Sequence, residues 1–324
     1  LTSTGSGVAW EAVSAGPTHK TFGTNSIMIG DNATGTIDAA DGNTGVGVDV
    51  FAALTTGDDN VAIGYKAGTA LTTGQRNVFI GEEAGSTGTT VQYSVGIGRE
   101  SLKLATGDSN TALGYVSLKH LTTGEHNTAL GRSALAYLTT GGENVAVGGY
   151  ALDAETTGSY NTAVGYNALT ANTEANSNTA VGNIALAANT TGSANTAVGR
   201  NALGANTTAS NAVAVGHGAL ESNTEGHSNT ALGYQAAATV TTGDENVAVG
   251  HGALQSMAAD NNGNTAVGTD AMADASYDGS YNTAVGYNAL LQAETISGTT
   301  AIGNQCLDAL TTGDNNTAVG AGAL

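Results

Sequence analysis

Asn161-Thr162-Ala163-Val164-Gly165-Tyr166-Asn167-Ala168-Leu169 decides how the chain folds, because it returns with small changes along almost the whole sequence. Aligned on its fifth residue, it recurs at eighteen glycines from Gly30 to Gly320. The spacing is 17 residues in fourteen of the seventeen intervals, 16 in one and 18 in two. A period so short and regular predicts stacked coils that pack on their neighbours in place of one globular core. The chain therefore divides into a non-repeat lead-in, residues 1–25, and a repeat shaft, residues 26–324.

The first position of the unit is Asn in fourteen copies, which predicts a ladder of side-chain amides bonded from rung to rung. Thr or Val dominates the second position, and Val, Ile or Leu always fills the fourth. Period-two alternation puts these two on one face of a short strand, expected to point into the coil. The third position is Ala or Gly in all copies but two, Met28 and Phe79. A face so bare predicts close approach by another chain, with wider space at the two exceptions. The fifth position is always Gly, and many units end in Thr-Thr-Gly, as at Thr55-Thr56-Gly57; positive φ or tight turning is expected at both glycines. Each coil has room for a second strand, placed around Ala168-Leu169. The irregular copies should differ in the variable loop, near Val91-Gln92-Tyr93 and around Asn261-Asn262-Gly263. Known helical and leucine-rich repeats are longer, and a glycine in every unit disfavours helix, so the predicted class is all-β. At roughly 4.8 Å per coil, seventeen steps give a rod of about 80 Å.

Composition narrows the function. With 48 Gly, one Pro and no Gly-every-third period, collagen is excluded, and the strict period argues against disorder. A net charge of −19 disfavours nucleic acid as a partner. Acidity otherwise means solubility or, alternatively, divalent-cation sites between coils. From Asn201 onward there are eleven Asp or Glu and no Lys or Arg. The single cysteine, Cys306, stands where most units carry Ala or Ser and reads as a small buried residue. No apolar run approaches the length of a membrane span, and no membrane insertion is expected. In the lead-in, Trp10 within Val8-Ala9-Trp10-Glu11-Ala12-Val13 reads as a short strand packed on the first coil. With no initiator Met and a last unit that stops at Ala323-Leu324, the sequence reads as a segment or processed product of something longer.

Asn-Thr-Ala-Val-Gly-Tyr-Asn-Ala-Leu followed by Thr-Thr-Gly resembles the repeats of YadA-like heads in trimeric autotransporter adhesins. Ser94-Val95-Gly96-Ile97-Gly98 and Ala212-Val213-Ala214-Val215-Gly216 come closest to that pattern. The run is still more similar to the repeat shafts of phage tail-fibre proteins, where such units precede a self-cleaving chaperone of endosialidase. The resemblance covers residues 26–324 and implies a left-handed parallel β-roll, three of which pack side by side as a homotrimer. It implies a structural fibre on the virion surface, with fibre, baseplate or capsid proteins and a host glycan or protein receptor as partners. A trimeric adhesin on a bacterial surface is the alternative. The period here is longer than in autotransporter heads, and no stalk, anchor or chaperone is present in the sequence.

No catalytic constellation stands out, so no enzyme activity, cofactor or metal is expected. The six histidines lack metal-ligand spacing, and Asp58-Asp59 and Glu82-Glu83 read as solvated loop charge more than as a catalytic carboxylate pair. Asn189-Thr190-Thr191 and Asn206-Thr207-Thr208 match a glycosylation sequon only as a by-product of composition. One position carries a bias. Directly after the repeat glycine come Tyr65, Arg99, Tyr115, Arg132, Tyr166, Arg200, His217, Tyr234, His251 and Tyr287. Stacked coils would align these into a stripe able to contact a receptor, or one that shields a seam between chains. Ice binding is a third function class, suggested by threonines at the second position; it is disfavoured there by their expected inward orientation.

Overall fold

The computed structural model describes residues 19–20, 26–29, 40–257, 260–273 and 278–324. The expected strand around Trp10 lies outside these residues. The structure is an all-β parallel solenoid. A two-residue strand, β1 (His19–Lys20), pairs antiparallel with β2 (Ile27–Ile29). From β2 onward each coil contributes one three-residue strand, ending with β19 (Thr317–Val319). These eighteen strands form a single parallel sheet in sequence order, each in register with the same repeat positions of the next coil: Thr162 faces Thr179, Ala163 faces Ala180, Val164 faces Val181.

The expected facing of the strand is inverted. Ala163 and its equivalents Ala62, Ala112, Ala180 and Ala197 are wholly buried within their own coil, while the second and fourth positions point outward. Val164, Ile63 and Leu232 are 36%, 38% and 49% exposed. The interior is narrow, and it is already filled by the eighth, ninth and twelfth positions, such as Ala168, Leu169 and Leu138. Only a methyl group fits opposite them. The third position is thus small because of its own coil and not because of a neighbouring chain.

Met28 and Phe79 follow the same rule. A Cβ placed on Gly85, at the ninth position of the Phe79 coil, would lie 2.5 Å from the Phe79 ring, and one on Gly68 would lie 3.4 Å from it. The ring therefore takes volume that leucine supplies elsewhere, and Phe79 is 1% exposed. Near Met28, the following third position is Gly45, whose added Cβ would meet the Met28 methyl at 3.4 Å.

Around Ala168-Leu169 the expected second strand is absent; the segment is a run of turns. It is nevertheless bonded from coil to coil, with Leu169 N donating to Ala185 O at 3.0 Å and Ala171 N to Ala187 O at 3.1 Å. Leu169 reaches this geometry with φ of 52°, and Asn167 and Ser177 are also left-handed at 55° and 60°. Residues other than glycine rarely adopt such φ values, and each rung's hydrogen bonds hold them there.

The fifth-position glycine has the positive φ expected of it and is also closely stacked. Gly165 has φ of 143°, and a Cβ there would lie 2.3 Å from Gly182 O in the next coil. The Thr-Thr-Gly glycine varies between coils. Gly74 has no positive φ, although Gly313 has φ of 111°, and a Cβ added to Gly74 would meet Val91 O at 2.2 Å, so the rungs stack closely there, while Val91 and Ala175 show that the position also admits a side chain. The shortened coil also differs from expectation. Thr106 N and Gly107 N both donate to Thr122 O, so one threonine is missing between them; the unit near Val91-Gln92-Tyr93 has full length.

The asparagine ladder forms as predicted. Asn161 N donates to Asn144 Oδ1 at 2.9 Å, Asn161 Nδ2 to Ala175 O at 2.7 Å, and Asn161 Oδ1 accepts from Asn178 N at 2.9 Å. Each amide therefore satisfies backbone groups that no strand reaches.

Candidate functional site

The ten residues following the repeat glycine do form an outer column beside the strand face, with Tyr65, Tyr115, Tyr166, Tyr234 and Tyr287 all exposed. They do not form one continuous stripe. The first run begins at Glu82, whose carboxylate accepts from Arg99 Nε at 3.2 Å. Arg99 and Arg132 both lie 5.9 Å from the Tyr115 ring centre, and Arg132 lies 5.4 Å from that of Tyr150. Tyr150 meets Tyr166 edge-on at 5.9 Å. Asn183 then interrupts the aromatic series, donating to Tyr166 O at 3.4 Å.

A second run starts where Arg200 Nη1 lies 3.2 Å from His217 Nε2. His217 and Tyr234 stack at 5.4 Å, Tyr234 and His251 at 5.3 Å, and His251 Nδ1 ends 3.5 Å from Asp270 Oδ1. Tyr65 lies beside Lys66, whose ammonium is 5.1 Å from the ring, and Tyr287 is flanked in the column by Thr269 and Asn304. The column is thus held by cation–π and stacking contacts along the axis. Ring faces stack on one another from His217 to His251, whereas Tyr150 and Tyr166 meet edge to face.

Tyr150 was not among the sequence candidates. It occupies the seventh position, and Gly149 at the sixth leaves it room; the glycine was the signal. A second outer column was also missed, where His120 and Tyr137 stack at 5.2 Å with planes 3° apart. Both occupy the eleventh position of their coils, so the 17-residue register already pairs them.

Charge is concentrated in the first run. Glu100 is 9% exposed and is bonded by Lys119 at 2.6 Å, with Lys103 and Arg99 at 3.7 Å and 3.5 Å. The Lys119 hydrogen bond, helped by these cations, holds the Glu100 carboxyl below its usual range despite burial. Lys103 also pairs with Glu83. Asp59 faces Arg76 at 3.8 Å, so the acidic neighbours considered from sequence are loop charges with partners.

Two acids depart from this pattern. Asp153 is half-buried, burial pushes its pKa up, and its Oδ1 accepts no hydrogen bond from the described protein groups. Glu155 is fully buried at the twelfth position, where other coils place Leu54, Leu71, Leu121 and Leu138. It begins an inner ladder: Asn172 donates to Glu155, Asn189 to Asn172 at 2.7 Å, Asn206 to Asn189 at 2.7 Å and Asn223 to Asn206 at 3.2 Å. Glu155 Oε1 also accepts from Gly158 N at 2.6 Å, yet burial outweighs these bonds and raises its pKa. Asn189 and Asn206, the two sequon asparagines, are therefore sealed inside the coil.

Among the described residues no group of three or more His, Cys, Asp or Glu could hold a metal ion, and no helix is long and apolar enough to cross a membrane. No protein-family model matches the chain, and no curated protein matches it.

Proposed function

We propose that the chain is the shaft of a structural fibre or adhesin, in which three copies pack through their strand faces and the outer columns meet a receptor. One observation carries this reading: an outward row of Val, Ile and Leu runs the length of an eighteen-strand sheet. A contiguous exposed apolar row of this length is an association surface. The grounds for a homotrimer thus move from the third repeat position to the second and fourth. On this reading the fibre is displayed on a virion surface, with the bacterial cell surface as the alternative. Its partners are further copies, other fibre, baseplate or capsid proteins, and a host glycan or protein receptor.

Light scattering on the native protein tests the assembly. The expected particle has three times the 31.7 kDa chain mass, and Val164→Asp with Val181→Asp should reduce it to one. A wild-type monomer would refute the trimer. Gold-labelled electron microscopy of the source particle or cell then distinguishes virion from cell surface.

A second reading, ice binding, gains from the structure. It was disfavoured because threonines at the second position were expected to point inward, whereas Thr162, Thr179 and Thr196 are half-exposed in register on the outer face. Trimer packing would cover that face, so only a monomer showing thermal hysteresis would favour this reading over the fibre.

A further inference from the structure

Arg99 and Arg132 stand at the same sixth position, two coils apart, and the repeat surrounds them differently. Around Arg99, Glu82 at the sixth position of the preceding coil accepts from Nε at 3.2 Å, and Glu100 at the seventh position of its own coil lies 3.5 Å from Nη2. These two carboxylates, Glu82 first, raise the Arg99 pKa. Around Arg132 the same two places in the repeat hold Tyr115 and Ser133. Arg132 is exposed, and among the described residues its guanidinium meets rings and no acceptor. Arg76 pairs with Asp59 and Arg200 lies against His217, so Arg132 alone among the described arginines lacks a polar partner.

What holds Arg132 is aromatic. Its guanidinium carbon lies 5.9 Å from the Tyr115 ring centre and 5.4 Å from that of Tyr150. Two flanking rings restrict the side chain, so less entropy remains to be lost when a partner binds than for a free surface arginine. The planar N–H fork of a guanidinium matches a carboxylate in bidentate fashion. Tyr115 and Tyr150 also line a cleft of about 320 Å³, together with the nearly buried Ser133 and Ala136, so the surface is open beside them.

Local charge agrees. At the sixth, seventh and tenth positions from Glu82 to Ala136 stand four bases, Arg99, Lys103, Lys119 and Arg132, and three acids, Glu82, Glu83 and Glu100. Four less three leaves one positive charge, on a chain whose total is −19. The three acids are taken by Arg99, Lys103 and Lys119, so the surplus is the charge of Arg132. The Arg99–Glu82 contact shows what completes such a group: a glutamate side chain arriving from a backbone one step of about 4.8 Å away. Exposed tyrosines surround the position, with Tyr115, Tyr137 and Tyr166 at 45%, 55% and 54%, and Tyr with Arg is the composition that carries most of the energy in protein interfaces.

We propose that Arg132 is a docking point for a partner protein and takes the carboxylate of an exposed glutamate or aspartate beside Tyr115 and Tyr150. The site gives a chemistry to the protein receptor suggested above, and its biological use rests on that reading, although carboxylate binding itself does not.

Side-chain NMR of the full chain labelled with nitrogen-15 arginine tests it, since the sequence holds only four arginines. The probes are N-acetylglutamate methylamide, the matching glutamine derivative, and methyl glucuronide as an acidic sugar. Arg132 Nε–H should shift with the glutamate probe, which should bind about threefold or more tighter than the glutamine derivative, while Arg99 stays in place. Arg132→Gln should abolish binding. Tyr115→Glu, which rebuilds around Arg132 the arrangement of Glu82 and Arg99, should also abolish it with Arg132 retained. Circular dichroism checks that both variants fold. No shift at Arg132, an equal response to the glutamine derivative, or an equal shift at Arg200 overturns the proposal. A response to methyl glucuronide without one to the glutamate probe would overturn the protein partner in favour of an acidic glycan. Glutamate binding by a chain that proves monomeric would uphold the site and sink the trimeric fibre.

Discussion

Gly148 and Gly149 are adjacent in sequence, and the structure assigns them opposite sensitivities to alanine. Gly148 has φ of 134°, and an added Cβ would lie 2.5 Å from Gly165 O in the next coil. The backbone conformation alone costs about 1–3 kcal/mol for any other residue. Relieving the collision requires the two rungs to part by about 0.7 Å, stretching the 2.8 Å bond from Gly165 N to Val147 O toward about 3.5 Å. Losing that bond adds about 1 kcal/mol, for a total of about 2–4 kcal/mol. At Gly149 the nearest atom is Tyr166 Cδ2 at 3.5 Å, an ordinary contact, and φ is not positive. Gly149→Ala should therefore be neutral or stabilise by up to about 1 kcal/mol through the unfolded chain. Because long arrays open locally, the suitable assay is hydrogen exchange by mass spectrometry over residues 144–182 of the full chain. Gly148→Ala should lose protection there by roughly 30- to 700-fold, and Gly149→Ala should lose none. If the two variants exchanged within about threefold of each other, close backbone stacking at the repeat glycine would be wrong.

Further outcomes follow from the ladders and the buried acid. Ala212 stands where most coils have Asn; its N donates to Asn195 Oδ1 at 2.9 Å, but it has no side-chain amide to accept from the next coil, so Ala212→Asn should stabilise the neighbouring rungs by about 1–2 kcal/mol, read by exchange at Asn229. Asn161→Ala should cost about 2–4 kcal/mol, since the bonds to Ala175 O and Asn178 N both vanish in a buried place, and urea unfolding or local exchange would show it. Glu155 has a raised pKa, so its contribution is fully present below the usual carboxylate range and is lost as pH rises through the raised folded value. Glu155→Leu should accordingly gain stability relative to wild type as the pH rises above the usual carboxylate range; a flat or falling difference would contradict the burial assigned to it. Cys306 is fully buried and its thiol donates to Ala318 O at 3.3 Å, so reaction with a thiol reagent should be slow until the chain is unfolded.

The period, the asparagine ladder and the role of Gly165 were legible because each is written in every coil. The facing of the strand was not. In a three-residue strand, alternation separates two faces without saying which is inside, and the usual assumption that larger apolar groups lie inward chose wrongly. A compensating signal existed in Phe79, the bulkiest residue at the third position, which coincides with Gly68 and Gly85 at the ninth in place of Leu or Phe. Volume exchanged between positions that far apart in one coil means they share an interior. The inner ladder of Asn172, Asn189, Asn206 and Asn223 was hidden for a different reason. These asparagines sit in a stretch that reads as polar loop, and only the twelfth-position leucines of other coils mark it as core. Of the outer column, sequence supplied the members but not their breaks, because Asn183 and Gly149 look like ordinary variants until ring contacts are traced.

Stability and recognition are carried by different positions of the same coil. The first, third, fifth, eighth, ninth, twelfth and fifteenth positions bond or pack between rungs, and a change at any one of them disturbs the coil above and the coil below. At the sixth and eleventh positions the side chains reach outward and meet between rungs through the cation–π, ring and polar contacts described above. Outer groups can thus vary from coil to coil without weakening the array, and they do so in blocks: arginine with tyrosine from Arg99 to Tyr166, histidine with tyrosine from His217 to His251, and alanine below Tyr137. A site on such a rod is best sought where an outer column stops repeating.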